Sequence, residues 1–265
     1  MIRMMIALVV STVIVLLMGP KFIAWLKKLS FGQTIYELGP QSHKNKQGTP
    51  VMGGLMMALA ITICSLAAHP AEWLGWWDPV FALLAVALLS MAVGFADDYI
   101  KAVKKRHEGL TPWQKIAGQV VTAVAFSVYC YLNPNIGSSV KIPFVNVEWN
   151  LGIFYIPLMT LLIIFIVNSS NLQDGLDGLL STVTTVSSAG WGMLCVLMIL
   201  TGGQTYGCET IGVFAMAMTG ACIGFLRFNR YPAKTFMGDT GSLLLGGGTV
   251  AMAPSTVPSF SFITP

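Results

Sequence analysis

Residues 79–101 read Pro79-Val-Phe-Ala-Leu-Leu-Ala-Val-Ala-Leu-Leu-Ser-Met-Ala-Val-Gly-Phe-Ala96-Asp97-Asp98-Tyr-Ile-Lys101. No charge interrupts the run from Pro79 to Ala96, and a helix needs about 20 mostly apolar residues to cross a bilayer. Two carboxylates and a lysine follow at once. The stretch reads as a membrane-spanning helix whose end carries charged chemistry. Working outward, further spans are expected at about 4–22, 51–68, 116–132, 152–167, 179–200 and 211–226, with another starting at Ser242. That makes seven complete helices and the beginning of an eighth, which Pro254 and Pro258 interrupt. The expected fold is an all-α polytopic transmembrane bundle, one integral membrane domain over residues 1–265, with short connections and no internal repeat.

Composition agrees. Of 265 residues 55% are hydrophobic and 10% charged, where a soluble domain carries about 25% charged residues. The apolar content excludes disorder, and five scattered cysteines without metal-like spacing exclude a disulfide-rich secreted module. Cys64, Cys130, Cys195, Cys208 and Cys222 mostly fall within apolar runs, where a thiol behaves as a small hydrophobe. A net charge of +4 with no basic stripe excludes nucleic acid as partner. The first apolar run ends Met18-Gly19-Pro20-Lys21 without a small-x-small cleavage site, so it is expected to be an uncleaved first span.

Charge placement sets the expected sidedness. The first, third, fifth and seventh loops hold Lys27, Lys28, Lys44, Lys46, Lys101, Lys104, Lys105, Arg106, Lys115, Arg227, Arg230 and Lys234, and the even loops hold only Lys141. The positive-inside rule then places the odd loops in the cytoplasm and the N-terminus outside. Most acidic residues and most Gly/Pro punctuation fall on that same side. An active-site cleft is therefore expected to face the cytoplasm.

Three polar clusters lie there. In the first, Asp97 and Asp98 are adjacent carboxylates that repel unless a cation stands between them, and hard oxygen ligands beside a phosphate substrate suit Mg²⁺. Lys101 follows Asp97 by four residues and can pair with it on one helix face. The second, Asn168-Ser-Ser-Asn171-Leu-Gln-Asp174-Gly-Leu-Asp177-Gly178, repeats its polar positions every third residue. A straight helix would turn Asn168 and Asp177 to opposite sides, so Gly175 and Gly178 are expected to break it. The third runs from Asn229 through Phe236 to Gly238-Asp239-Thr-Gly241-Ser242. Its glycines allow close backbone approach to a phosphate, a helix N-terminus following them attracts anions, and Phe236 offers either a face for a base or simple interfacial packing. Lys104-Lys105-Arg106 read either as a topology signal that also attracts anionic lipid or as diphosphate contacts beside the acidic pair, and the two readings are compatible. His43, His69 and His107 lack ligand spacing. Carboxylates for a metal, lysines for phosphates and glycine turns on one face point to Mg²⁺-dependent phosphoryl transfer between a cytoplasmic nucleotide diphosphate and an acceptor in the lipid bilayer.

Lys46-Gln-Gly48-Thr49-Pro50-Val-Met52-Gly53-Gly54, Asp97-Asp98-x-x-Lys101, Asn168-x-x-Asn171-x-x-Asp174-Gly175-x-Asp177-Gly178 and Phe236-Met237-Gly238-Asp239-x-Gly241-Ser242 together closely resemble the bacterial phospho-N-acetylmuramoyl-pentapeptide transferases, within the polyprenyl-phosphate N-acetylhexosamine-1-phosphate transferase superfamily. The resemblance implies attack by undecaprenyl phosphate on UDP-MurNAc-pentapeptide, giving lipid I and UMP for peptidoglycan synthesis at the bacterial cytoplasmic membrane. It implies Asp239 as a Mg²⁺ ligand, Asp97 as base or orienting group, and Asp98 as support for the metal or the lysines. Lys46, Lys101, Lys105 and Lys115 would contact phosphates and substrate. Asn171, Asp174, Asp177 and Asn229 would line the substrate, with Phe236 near the uracil, and a homodimer stays open. The family has ten transmembrane helices and a late histidine-rich loop. The resemblance is expected to fade after about Leu245, and the chain is expected to have little activity without those parts.

Other readings make different demands. A close alternative is another polyprenyl-phosphate sugar-1-phosphate transferase, such as one for UDP-N-acetylglucosamine, and the Gly48-Thr-Pro-x-Met-Gly-Gly54 stretch favours the muramoyl enzymes over it. An intramembrane aspartyl protease wants paired aspartates within the bilayer, whereas these lie at helix ends beside lysines. A cation transporter with broken helices wants acidic residues at mid-span, and the apolar spans contain none.

Overall fold

A computed structural model describes residues 1–29, 48–69, 77–104, 108–142, 147–201 and 207–256. Among them are eight α-helices: α1 (Ile2–Lys28), α2 (Gly54–Ala67), α3 (Pro79–Lys104), α4 (Pro112–Leu132), α5 (Tyr155–Gln173), α6 (Leu179–Leu200), α7 (Cys208–Asn229) and α8 (Gly238–Thr256). Six are long and apolar enough to cross a membrane: α1, α3, α4, α5 with the 3₁₀ turn before it, α6 and α7. The all-α polytopic class is thereby met. At about 1.5 Å per residue, the 14-residue α2 is about 21 Å long, short of a full crossing where the sequence reads one.

Two boundaries differ from expectation. Helix α8 begins at Gly238, four residues before the apolar run at Ser242, so Asp239 stands in its first turn. Pro254 lies inside α8 rather than ending it: this close to Thr256 its missing N–H removes only one late backbone hydrogen bond. Pro258 lies outside the described residues. The chain also makes one short antiparallel hairpin between α4 and α5, β1 (Ser139–Ile142) with β2 (Val147–Asn150), in register Val140 to Trp149.

Helix α7 is the most enclosed of the six crossing helices, packed by α1 and α6, and α8 is framed by α3 and α5. Small residues allow the close approach. A Cβ at Gly220 of α7 would collide with the Leu8 carbonyl of α1, and across the same seam the Ser11 hydroxyl donates to the Ala217 carbonyl at 2.7 Å. On the α3–α8 seam a Cβ at Gly94 would strike the Asp239 backbone. Outward, Leu161 and Phe165 of α5 remain about two-thirds exposed, which suits a lipid-facing surface. The second cluster breaks where its glycines indicate: α5 ends at Gln173, Gly178 takes φ +77°, and α6 starts at Leu179.

Candidate active site

The site forms where α3, α4, α5 and α8 end on one side of the bundle. Helix α4 is started by a capping box: the Thr111 hydroxyl accepts from Gln114 N–H at 3.3 Å, and the Gln114 side chain accepts from Thr111 N–H at 3.0 Å. That fixes Lys115 one turn in. The start of α8 is fixed by a different device. Gly238 has φ +71°, a conformation natural to glycine, and a Cβ there would meet Asp98. The Asp98 carboxylate then accepts from Asp239 N–H at 3.2 Å, Thr240 N–H at 2.9 Å and the Thr240 hydroxyl at 2.7 Å. An aspartate of α3 thus caps α8. The side chain expected to support a metal or the lysines is mainly engaged in holding the start of α8 in place.

Asp239 is the hub. Its Oδ1 accepts from Asn171 Nδ2 at 2.7 Å, and its Oδ2 accepts from Lys115 Nζ at 2.8 Å and Lys101 Nζ at 3.3 Å. Asn171 Nδ2 also donates to the Ser242 hydroxyl at 2.8 Å, and Lys115 Nζ lies 3.4 Å from Asn171 Oδ1. Burial pushes the Asp239 carboxyl up, but its contact with Asp97 and the Lys101 and Lys115 ammoniums outweigh this and hold it well below the usual carboxylate range. Asp97 is tied to both sides: Oδ1 accepts from Leu110 N–H at 2.8 Å, and Oδ2 pairs with Lys101 Nζ at 2.5 Å.

One carboxylate oxygen each from Asp97, Asp98 and Asp239 lie within 4.8 Å of one another. Asp97 Oδ2 is buried and, although Lys101 is close, receives no hydrogen bond of good geometry. Three hard oxygen donors this close together fit Mg²⁺ shared with a phosphate ligand.

Of the expected site residues, Asp97, Asp98, Asp239, Lys101, Lys115 and Asn171 come together here. Lys46 and Lys105 lie outside the described residues. Asp174 is half-buried at the C-terminus of α5. Asp177 Oδ2 accepts from Ala233 N–H at 3.1 Å, joining the second cluster to the third. Phe236 is half-buried, and its backbone pairs with the glycine-rich turn: its N–H donates to Pro50 O at 2.9 Å and its carbonyl accepts from Gly53 N–H at 2.9 Å. Asn229 departs from expectation. It is 1% exposed, its Oδ1 accepts from Gly178 N–H and the Ser181 hydroxyl at 3.1 Å each, and its Nδ2 donates to Thr235 O at 3.2 Å. It ties two loops together instead of facing a substrate.

Sequence reasoning missed the Gln119–Asn168 pair, whose amides bond reciprocally at 2.6 and 3.3 Å one turn from Lys115 and Asn171. The signal was available, since Gln119 follows Lys115 by four residues on an apolar helix. It also missed Thr240.

A helical bundle of membrane-spanning length that gathers carboxylates and lysines into one part-buried cluster has the charge pattern of a phosphate-handling membrane protein. Residues 80–256 match the family model described as glycosyl transferase family 4, so the match continues past Leu245, where the resemblance was expected to fade. The chain is 42% identical over 247 residues to a phospho-N-acetylmuramoyl-pentapeptide-transferase of Clostridioides difficile (strain 630), covering 93% of this chain and 73% of the relative. It is 41% identical over 252 residues to the protein of that name from Heliobacterium modesticaldum, covering 95% and 74%. The one from Oceanobacillus iheyensis is 39% identical over 256 residues, covering 94% and 74%. The chain belongs to glycosyl transferase family 4 and is a phosphoglycosyl transferase of the peptidoglycan-synthesis branch.

Proposed function

We propose that the chain transfers phospho-MurNAc-pentapeptide from UDP-MurNAc-pentapeptide to undecaprenyl phosphate, yielding lipid I and UMP. The observation that carries this reading is the gathering of Asp97, Asp98 and Asp239 within 4.8 Å, with Lys101 and Lys115 both on Asp239. Phosphoryl transfer asks the protein for positioning and charge neutralisation more than for covalent chemistry. An oxygen of the lipid phosphate attacks the sugar-linked phosphorus, a new P–O bond forms, and the bond to the UMP oxygen breaks. UMP leaves carrying the electron pair as phosphate charge.

Each residue has a role in that scheme. Lys101 and Lys115 neutralise the phosphates. Asp97 orients the lipid phosphate or takes its last proton. Asp98 keeps the start of α8, and with it Asp239, in position. Asp239 would hold Mg²⁺, with Asp97 and Asp98 in reach, and the bound cation would neutralise diphosphate charge. Asn171, Asp174, Asp177 and Phe236 form the nucleotide side, with Lys46 and Lys105 adding charge. The lysine and arginine bias supports a cytoplasmic face for this site and an external N-terminus in the bacterial inner membrane.

The test is UMP release by the full chain from UDP-MurNAc-pentapeptide, with and without Mg²⁺ and undecaprenyl phosphate, against UDP-N-acetylglucosamine in parallel. Any UMP release, expected to be low for this chain, should need all three components. Faster turnover of UDP-N-acetylglucosamine would transfer the assignment to that related activity.

A further inference from the structure

A second polar feature shares no residue with the carboxylate cluster. A groove of about 870 Å³ opens between the C-terminal ends of α1 and α7 and the loop that leads to Phe236. Leu16 and Ile23 of α1 and Phe228 of α7 contribute its apolar wall, and Lys27, Arg227 and Lys234 bring three cations to it. No acidic residue lines the groove, and none of the three cations has an acidic partner among the described residues. Gly19 allows a close approach beside the groove: a Cβ there would collide with the Phe228 ring, so the bare glycine lets that ring come up against α1.

The spacing along α1 identifies the chemistry. Leu16 precedes Lys27 by 11 residues, about 16 Å of helix, roughly half the 30 Å hydrocarbon core. Charge is confined to one end and apolar surface continues from it. A soluble anion would use only the charged end, and a neutral lipid would leave three cations unmatched. Basic pockets between transmembrane helices at the membrane surface suit anionic headgroups. We propose that this groove binds an anionic phospholipid, its phosphate held among Lys27, Arg227 and Lys234 and one acyl chain laid along Leu16, Ile23 and Phe228. The lipid thereby joins α1 to α7 and to the loop whose Ala233 N–H bonds Asp177.

Native mass spectrometry of the detergent-purified full chain tests this, titrating phosphatidylglycerol, phosphatidylcholine and undecaprenyl phosphate separately and in competition. The parent is expected to retain phosphatidylglycerol in preference to phosphatidylcholine. Lys27→Gln/Arg227→Gln/Lys234→Gln should lower that preference about tenfold or more, while Lys21→Gln/Lys28→Gln, which neutralises two nearby lysines outside the groove, should preserve it. An unchanged preference in the triple variant, or an equal fall in the control pair, would reduce the effect to general surface charge and overturn the site. Stoichiometric displacement of phosphatidylglycerol by undecaprenyl phosphate, abolished in the triple variant, would also overturn it, by assigning the groove to the lipid substrate.

Discussion

Asp98 of α3 holds Thr240 of α8 through a single oxygen: its Oδ2 accepts from the Thr240 backbone N–H at 2.9 Å and from the Thr240 hydroxyl at 2.7 Å. Both residues are buried, so neither bond competes with water. Because Asp239 is the neighbour of Thr240, this contact positions the hub of the site. Asp98→Asn can turn an amide N–H toward groups that are themselves donors, whereas Thr240→Val removes only the hydroxyl. Hydrogen bonds to charged groups contribute about 1.5–3 kcal/mol. Thermal melting in detergent should therefore fall for Thr240→Val and further for Asp98→Asn, with UMP release falling in the same order. Parental melting in Asp98→Asn would show that α8 is held by other contacts.

In a full-length relative, the substitution that corresponds to Asp239→Asn should abolish UMP release and flatten its dependence on Mg²⁺. A neutral amide is a poorer ligand for a hard cation, and it leaves Lys101 and Lys115 facing each other without the carboxylate between them. A Mg²⁺ titration of parent and variant checks this. Most of the parental rate surviving at ordinary Mg²⁺ would remove Asp239 from the metal.

Asp97→Asn should lower the chemical rate more than it changes the KM for the UDP-sugar, if Asp97 acts on the lipid phosphate. General acid–base groups typically contribute about 10²–10⁴-fold. The measurement is single-turnover UMP release beside nucleotide affinity. An unchanged rate with a raised nucleotide KM would move Asp97 to the nucleotide side.

Much of this architecture was legible because a bilayer leaves few solutions. Runs such as Pro79 to Ala96 have to be helices, and the carboxylates that follow them have to lie at helix ends. The adjacent Asp97 and Asp98 read as a pair that favours a nearby cation, whereas Asp239 joined them only through the family resemblance. What was hidden depends on partners far along the chain. The start of α8 was read at Ser242 from hydropathy, but Gly238 and a cap from Asp98, 142 positions from Thr240, set it. Asn229 read as a residue lining the substrate, yet the donors to its Oδ1, Gly178 N–H and the Ser181 hydroxyl, stand 51 and 48 positions away. The hairpin was missed because strands of four residues show too little alternation to register.

Asn229→Ala should destabilise the protein by about 1–3 kcal/mol, because the buried Gly178 N–H would lose its acceptor. Asn229→Asp keeps an acceptor for Gly178 and Ser181 and loses only the donor to Thr235, so it should be milder. Thermal melting and nucleotide KM, measured for both variants, separate the two roles. Equal rises in KM with unchanged melting would restore Asn229 to the substrate.

Phe236→Ala tests the nucleotide side. The backbone of Phe236 is anchored at both polar atoms, its N–H on Pro50 and its carbonyl under Gly53 N–H, so the ring can be removed without releasing the strand-like pairing of the two loops. The neighbouring Thr235 hydroxyl, which donates to Pro50 O at 2.9 Å, strengthens the same anchor. Loss of stability should accordingly be small, and loss of affinity should dominate. Base–aromatic stacking is worth about 1–3 kcal/mol, so uridine-nucleotide affinity measured by calorimetry should weaken by that amount, while Phe236→Tyr, which keeps an aromatic face, should stay near the parent. Equal affinity in parent and Phe236→Ala, with intact melting, would make the ring an interfacial packing group and shift uracil recognition onto Asp174, Asp177 and Asn171.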